Sequence, residues 1–171
     1  MSTAPHLFLG HGASGTADSM RPWVTELARR GVGATALDLP KSNNERAIGV
    51  FRSALDARPG AAIGGHSYGG RMASLLAARQ PVHALVLLSY PLHRPGHPDE
   101  LRTEHWPRIE CPVLLLSGDR DPFATIDLLR SEVKSLHDPE LVIYPGLRHG
   151  LLSVRVDAAA RIAAFLISRA F

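Results

Sequence analysis

At 171 residues, 45% hydrophobic and 20% charged, the chain has the size and composition of one ordinary globular domain, 1–171, with a core of its own. Its net charge is only +3, and all but two of its 19 basic residues are scattered arginines, which argues against nucleic-acid binding. The lone cysteine, Cys111, excludes an internal disulfide or a cysteine-based zinc site and fits a reducing, cytoplasmic compartment.

The opening MSTAPHLFLG has no basic segment followed by an apolar core, so no export signal is expected. No apolar run approaches the ~20 residues of a membrane span, so no membrane partner is expected either. The first apolar run, HLFLG (6–10), predicts a strand, and 18–30 behind it a helix. GATALDL (33–39) predicts the second strand and 44–57 the second helix. AAIGG (61–65) and the helical stretch 68–80 follow, then HALVLLS (83–89), then PVLLLSG (112–118) with a helix over 122–136. ELVIYPG (140–146) and a helix over 153–170 end the series.

These strands are apolar on consecutive positions, so both of their faces must be covered, as in a parallel sheet between helices. The expected architecture is therefore three-layer α/β/α with right-handed crossovers. Segment 90–112 carries five prolines and three histidines and predicts a long loop with at most one short helix.

In such a sheet the chemistry gathers at the carboxyl ends of the strands. After the third strand comes GGHSYGGR (64–71), a G-x-S-x-G spacing between strand and helix. That context suits a strained turn presenting a serine nucleophile, Ser67; a small-residue packing turn is the alternative. Asp119 and Asp121 follow the fifth strand and His149 the sixth. A serine needs a histidine base, which in turn needs an orienting carboxylate, and Ser, Asp, His is the chain order of this fold type. Taken alone, Asp121 before Pro122 also suits a helix N-cap, and His149 also suits a solvated loop.

Oxyanion donors are expected from the backbone N–H groups of Tyr68, just after the serine, and Ala13, in the GHGASG loop after the first strand. His11, Tyr90, His93 and His97 stand where they could line a pocket. His93, His97 and His105 could in principle hold a metal, but their loop spacing does not resemble a preformed ligand set, so neither a metal nor a cofactor is expected.

Together these residues resemble the α/β-hydrolase superfamily. The HGASG start and LSYPLHRPGHPDELRTEHWPRIECPVLLLSGDRDPFA (88–124) are similar to its KANL3/Tex30-like branch, related to dienelactone hydrolases. The resemblance implies Ser67 as nucleophile, Asp121 as orienting acid and His149 as base, with the G-x-x-D spacing from Gly118 favouring Asp121 over Asp119. It also implies a minimal six-stranded, all-parallel sheet in order 2-1-3-4-5-6, without the superfamily's first two strands and without a lid domain. Dienelactone hydrolases use a cysteine nucleophile, whereas Cys111 lies at the wrong end of its strand, so lactone hydrolysis is not implied. The expected function is a serine hydrolase for a small-molecule acyl substrate, an ester or thioester held in an open, shallow pocket. The rival is a non-catalytic interaction domain on the same fold. The oligomeric state is left open.

Overall fold

Each apolar run forms a strand and each amphipathic stretch a helix in the computed structural model, which describes residues 3–170. The strands are β1 (His6–Gly10), β2 (Gly33–Leu37), β3 (Ala62–His66), β4 (Leu85–Leu88), β5 (Pro112–Gly118) and β6 (Asp138–Tyr144). The helices are α1 (Arg21–Ala28), α2 (Asn44–Ala57), α3 (Tyr68–Ala77), α4 (Ile126–Glu132) and α5 (Arg155–Ile167). All six strands are parallel, in order β2-β1-β3-β4-β5-β6. Parallel neighbours require crossovers, and each helix between successive strands supplies one, except between β4 and β5.

Two apolar layers hold the sheet. On one face Phe8, Ile63, Leu85, Leu87, Val113 and Leu115 pack with Ile48, Phe51 and Leu55 of α2, Met72 and Leu76 of α3, and Trp106. On the other, Leu7, Leu9, Val86, Leu88, Leu114 and Leu116 pack with Trp23 and Leu27 of α1 and Ile162, Phe165 and Leu166 of α5. Alternate residues of each central strand thus enter opposite cores, which is why those strands carry no polar alternation.

Several boundaries differ from expectation, three of them for a visible reason. The second strand stops at Leu37 because Asp38 turns out to accept the Ala17 N–H at 2.8 Å. β6 starts at Asp138, two residues early: it is an edge strand, and Pro139 paired with Val113 is tolerated there because its missing N–H would face away from the sheet. The fourth helix begins only at Ile126, since residues 122–125 turn over Asp121, which accepts the Phe123 N–H on its carboxylate at 2.8 Å and the Ala124 N–H on its carbonyl at 3.1 Å. Between β4 and β5, residues 89–111 form a loop whose one regular piece is a 3₁₀ turn, Trp106–Arg108, so no helical lid covers the strand ends. No helix is long and apolar enough to cross a membrane among the described residues.

Candidate active site

Ser67 sits between β3 and α3 with φ 49° and ψ −115°, a region that L-residues avoid. Its N–H donates to Leu88 at 2.9 Å and its carbonyl accepts the Arg71 N–H at 3.0 Å, so the chain reverses sharply and leaves the hydroxyl outside. The turn needs Gly69: a Cβ there would lie 2.3 Å from the carbonyl carbon of Gly10, so α3 could not start so close to β1.

A second close approach assembles the rest. A Cβ on Gly118 would lie 2.1 Å from the Leu147 carbonyl oxygen, so only glycine lets the loop after β5 touch the loop after β6. There Asp121, 4% exposed, meets Nδ1 of His149 at 2.8 Å through Oδ2 and at 3.0 Å through Oδ1. Nε2 of His149 lies 2.8 Å from the Ser67 hydroxyl. An ionised carboxylate only accepts, so the ring proton sits on Nδ1 and the Nε2 lone pair faces the hydroxyl. Asp119 turns elsewhere, accepting the Gly146 N–H at 2.8 Å.

Two residues that the sequence does not single out hold His149. Phe123 stacks on its ring at 4.3 Å, and Nε2 of His66 donates to its carbonyl at 3.0 Å. Burial holds His66 below the ordinary histidine pKa, which suits a neutral donor. Both lie inside segments already marked, GGHSYGGR and SGDRDPF, but neither has a spacing signature of its own.

Ala13 and Tyr68 line the same cleft, and neither backbone N–H meets an acceptor among the described residues. Tyr68 is the first residue of α3, where the N–H has no intrahelical partner and the dipole is positive. Its hydroxyl donates to the Pro40 carbonyl at 2.8 Å.

The cleft holds about 570 Å³ and is walled by Gly12–Gly15, Met20, Trp23, Pro91, Phe123, Leu151 and Leu152, with Arg71 and Arg102 on its polar side. That volume is ligand-sized and roomier than the absent lid implies, because residues around α1 and after His149 raise its walls.

The four expected pocket residues do not line it. His11 is 1% exposed and ties the loop after β1 to the end of β2: its Nε2 accepts the Leu39 N–H at 2.9 Å and its Nδ1 donates to Gly12 at 2.7 Å. Tyr90 is buried against Trp106, with its hydroxyl donating to the Arg102 carbonyl at 2.6 Å. His93 is buried too, its Nε2 accepting the Thr125 N–H at 3.1 Å. In each case a buried backbone group needs a partner, and that need draws the side chain inward. His97 is exposed beside Glu100. Nor do His93, His97 and His105 converge, since His105 binds Ser74.

A six-stranded parallel sheet in this order, with a strained serine after the third strand and an acid–histidine pair beyond the fifth and sixth, defines the α/β-hydrolase fold. Residues 41–155 match the family described as an alpha/beta hydrolase domain, and the chain belongs to that family. Among solved structures it is similar to the monoacylglycerol lipase of Paleococcus ferrophilus (17% identity, 99% of this chain and 96% of that one, TM-score 0.86). It is also similar to Est1E from Butyrivibrio proteoclasticus (18%, 98% and 90%, 0.80). A third likeness is to the dienelactone hydrolase of Anabaena variabilis (21%, 99% and 88%, 0.78).

Proposed function

We propose that the chain, as a single domain, is a serine hydrolase that cleaves a small carboxylic ester or thioester through an acyl-enzyme on Ser67. The observation that carries this is the continuous line Asp121, His149, Ser67, at 2.8 Å per step and open to a ligand-sized cleft. The esterase and lipase likenesses support a hydrolase, and the HGASG and SGDRDPF stretches favour the KANL3/Tex30-like branch.

Ser67 Oγ attacks the substrate carbonyl carbon while Nε2 of His149 takes the hydroxyl proton. Asp121 fixes the Nδ1–H tautomer and stabilises the imidazolium. The carbonyl oxygen, now an oxyanion, accepts from the N–H groups of Ala13 and Tyr68. Collapse expels the alcohol or thiol, which takes the proton from Nε2. Water then repeats the attack on the acyl-serine, again giving its proton to His149, and the carboxylic acid leaves with Ser67 restored.

A fluorophosphonate probe tests the nucleophile without the natural substrate. The intact protein should be labelled and Ser67→Ala should not. A folded intact protein that takes no label overturns the proposal in favour of a non-catalytic interaction domain.

A further inference from the structure

The structure describes four partly buried arginines: Arg30, Arg71, Arg102 and Arg169. Arg30 reaches Glu26 at 2.8 Å and Arg169 reaches Glu140 at 2.9 Å. Arg71 and Arg102 form no ion pair and no side-chain hydrogen bond among the described residues, the Glu100 charge acting on Arg102 only from a distance, and Arg71 Nε is fully buried with its N–H unmet. These two both border the cleft that contains Ser67, and no Asp or Glu lines it.

We propose that Arg71 and Arg102 form an oxyanion-binding subsite, so that the substrate carries a carboxylate or phosphate a few bonds from its scissile carbonyl. This rests on the reading of Ser67 as nucleophile only for the word substrate; the binding site stands by itself.

Three features carry it. A guanidinium N–H taken out of water is costly unless an acceptor arrives, and Arg71 Nε has none. Two like charges share one wall: burial, then the charge of Arg71, holds Arg102 below the ordinary arginine range. The position also fits, because the Ser67 carbonyl accepts the Arg71 N–H. Arg71 therefore lies one helical turn, on the order of 5 Å, beyond the nucleophile. Guanidinium forks match carboxylate and phosphate oxygens in pairs. Arg102 is held by its backbone, whose N–H donates to Leu92 and whose carbonyl accepts from Tyr90, which leaves its side chain available to a ligand.

Binding to the full-length Ser67→Ala protein tests the subsite without catalysis, using the Arg71 Nε–Hε resonance in ¹⁵N NMR as reporter. The ligands are monomethyl glutarate, its neutral isostere dimethyl glutarate, and inorganic phosphate. Monomethyl glutarate should shift that resonance at millimolar concentration, and the dimethyl ester should not. Arg102→Met should weaken anion binding roughly tenfold or more. Arg71→Met, followed through backbone amides of the cleft, should do the same, and Arg71→Lys should recover part of the loss. Tighter binding of the monoester than of phosphate assigns a carboxylate substrate, and the reverse a phosphorylated one. Equal binding of charged and neutral esters, no binding of either anion, or binding indifferent to both arginines overturns the subsite. Failure of the Ser67 reading would show separately, as absent fluorophosphonate labelling of the intact protein.

Discussion

Two serine–histidine hydrogen bonds of nearly equal length lie within this molecule, and their protons run in opposite directions. In the cleft, Asp121 accepts a hydrogen bond from the Nδ1–H of His149, so Nε2 accepts from Ser67 at 2.8 Å. In the core, the Ser74 hydroxyl donates to the Arg71 carbonyl at 2.7 Å, so the hydrogen on the 2.7 Å contact with His105 must come from Nε2 of that histidine. His105 is thus a donor, with no carboxylate behind it. The contrast teaches that distance does not set the direction of such a bond; the acceptor placed on the far side of each group does.

Backbone strain does not single out a serine either. Ser89, the residue after β4, has φ 50°, almost the φ of Ser67, yet its hydroxyl is buried and meets no partner among the described residues.

The sharpest way to break this comparison is to delete each hydroxyl. Ser67→Ala should lower turnover of 4-nitrophenyl acetate by about 10⁶-fold. Ser74→Ala should keep both turnover and fluorophosphonate labelling, at a stability cost of about 1–3 kcal/mol for the stranded His105 donor. Labelling that survives Ser67→Ala but not Ser74→Ala would reverse the assignment.

A subtler change converts one pair into the other. In Asp121→Asn the amide can donate to Nδ1, which moves the ring proton to Nε2 and turns His149 into a donor like His105. Turnover should fall by about 10⁴-fold with the fold intact by circular dichroism. A loss of less than tenfold would mean that Asp121 does not set the tautomer.

Much of this was legible in the sequence, and the reason is topological. Parallel strands covered on both faces leave an unbroken apolar signature, and the crossover rule sends every following loop to one sheet edge, so Ser67, Asp121 and His149 could be placed from their positions after strands. The pocket wall could not. His11, Tyr90 and His93 are polar and loop-borne, but each is consumed by a buried backbone group, a demand visible only once chains cross. Arg71 and Arg102 come together through the return of the loop 89–111, and Trp23 arrives from a helix before β2; neither convergence leaves a local pattern. Asp121 had two local readings, and only the contact of Gly118 with Leu147 brings it to a histidine instead of to a helix terminus.

The pH dependence of His105 sharpens the contrast further. Burial, then the charges of Arg71, Arg108 and Arg79, lowers the His105 pKa to about 4, below its value in the unfolded chain. The unfolded chain then binds more protons between about pH 6.5 and 4, so stability is fully present above that window and is lost as pH falls through it. The loss should reach about 3 kcal/mol in denaturant melts. His105→Gln, which keeps a donor toward Ser74 but does not titrate, should flatten that part of the profile. An unchanged slope would mean that other groups, such as the half-buried His66, carry the acid sensitivity.

The smallest expected effect isolates strain from chemistry. Ser89→Ala keeps a side chain at positive φ but removes a buried hydroxyl with no partner among the described residues, whose desolvation is uncompensated. The variant should therefore be more stable by about 1 kcal/mol, a rise in Tm of roughly 3 °C for a chain of this size, while ester turnover and labelling stay as they were. A fall in stability would show that the hydroxyl has a partner, an ordered water being the natural one. A fall in turnover would show that the left-handed serine at the end of β4 communicates with its neighbour on β3, through the Ser67 N–H that donates to Leu88. Strain at the two strand ends would then be one feature and not two.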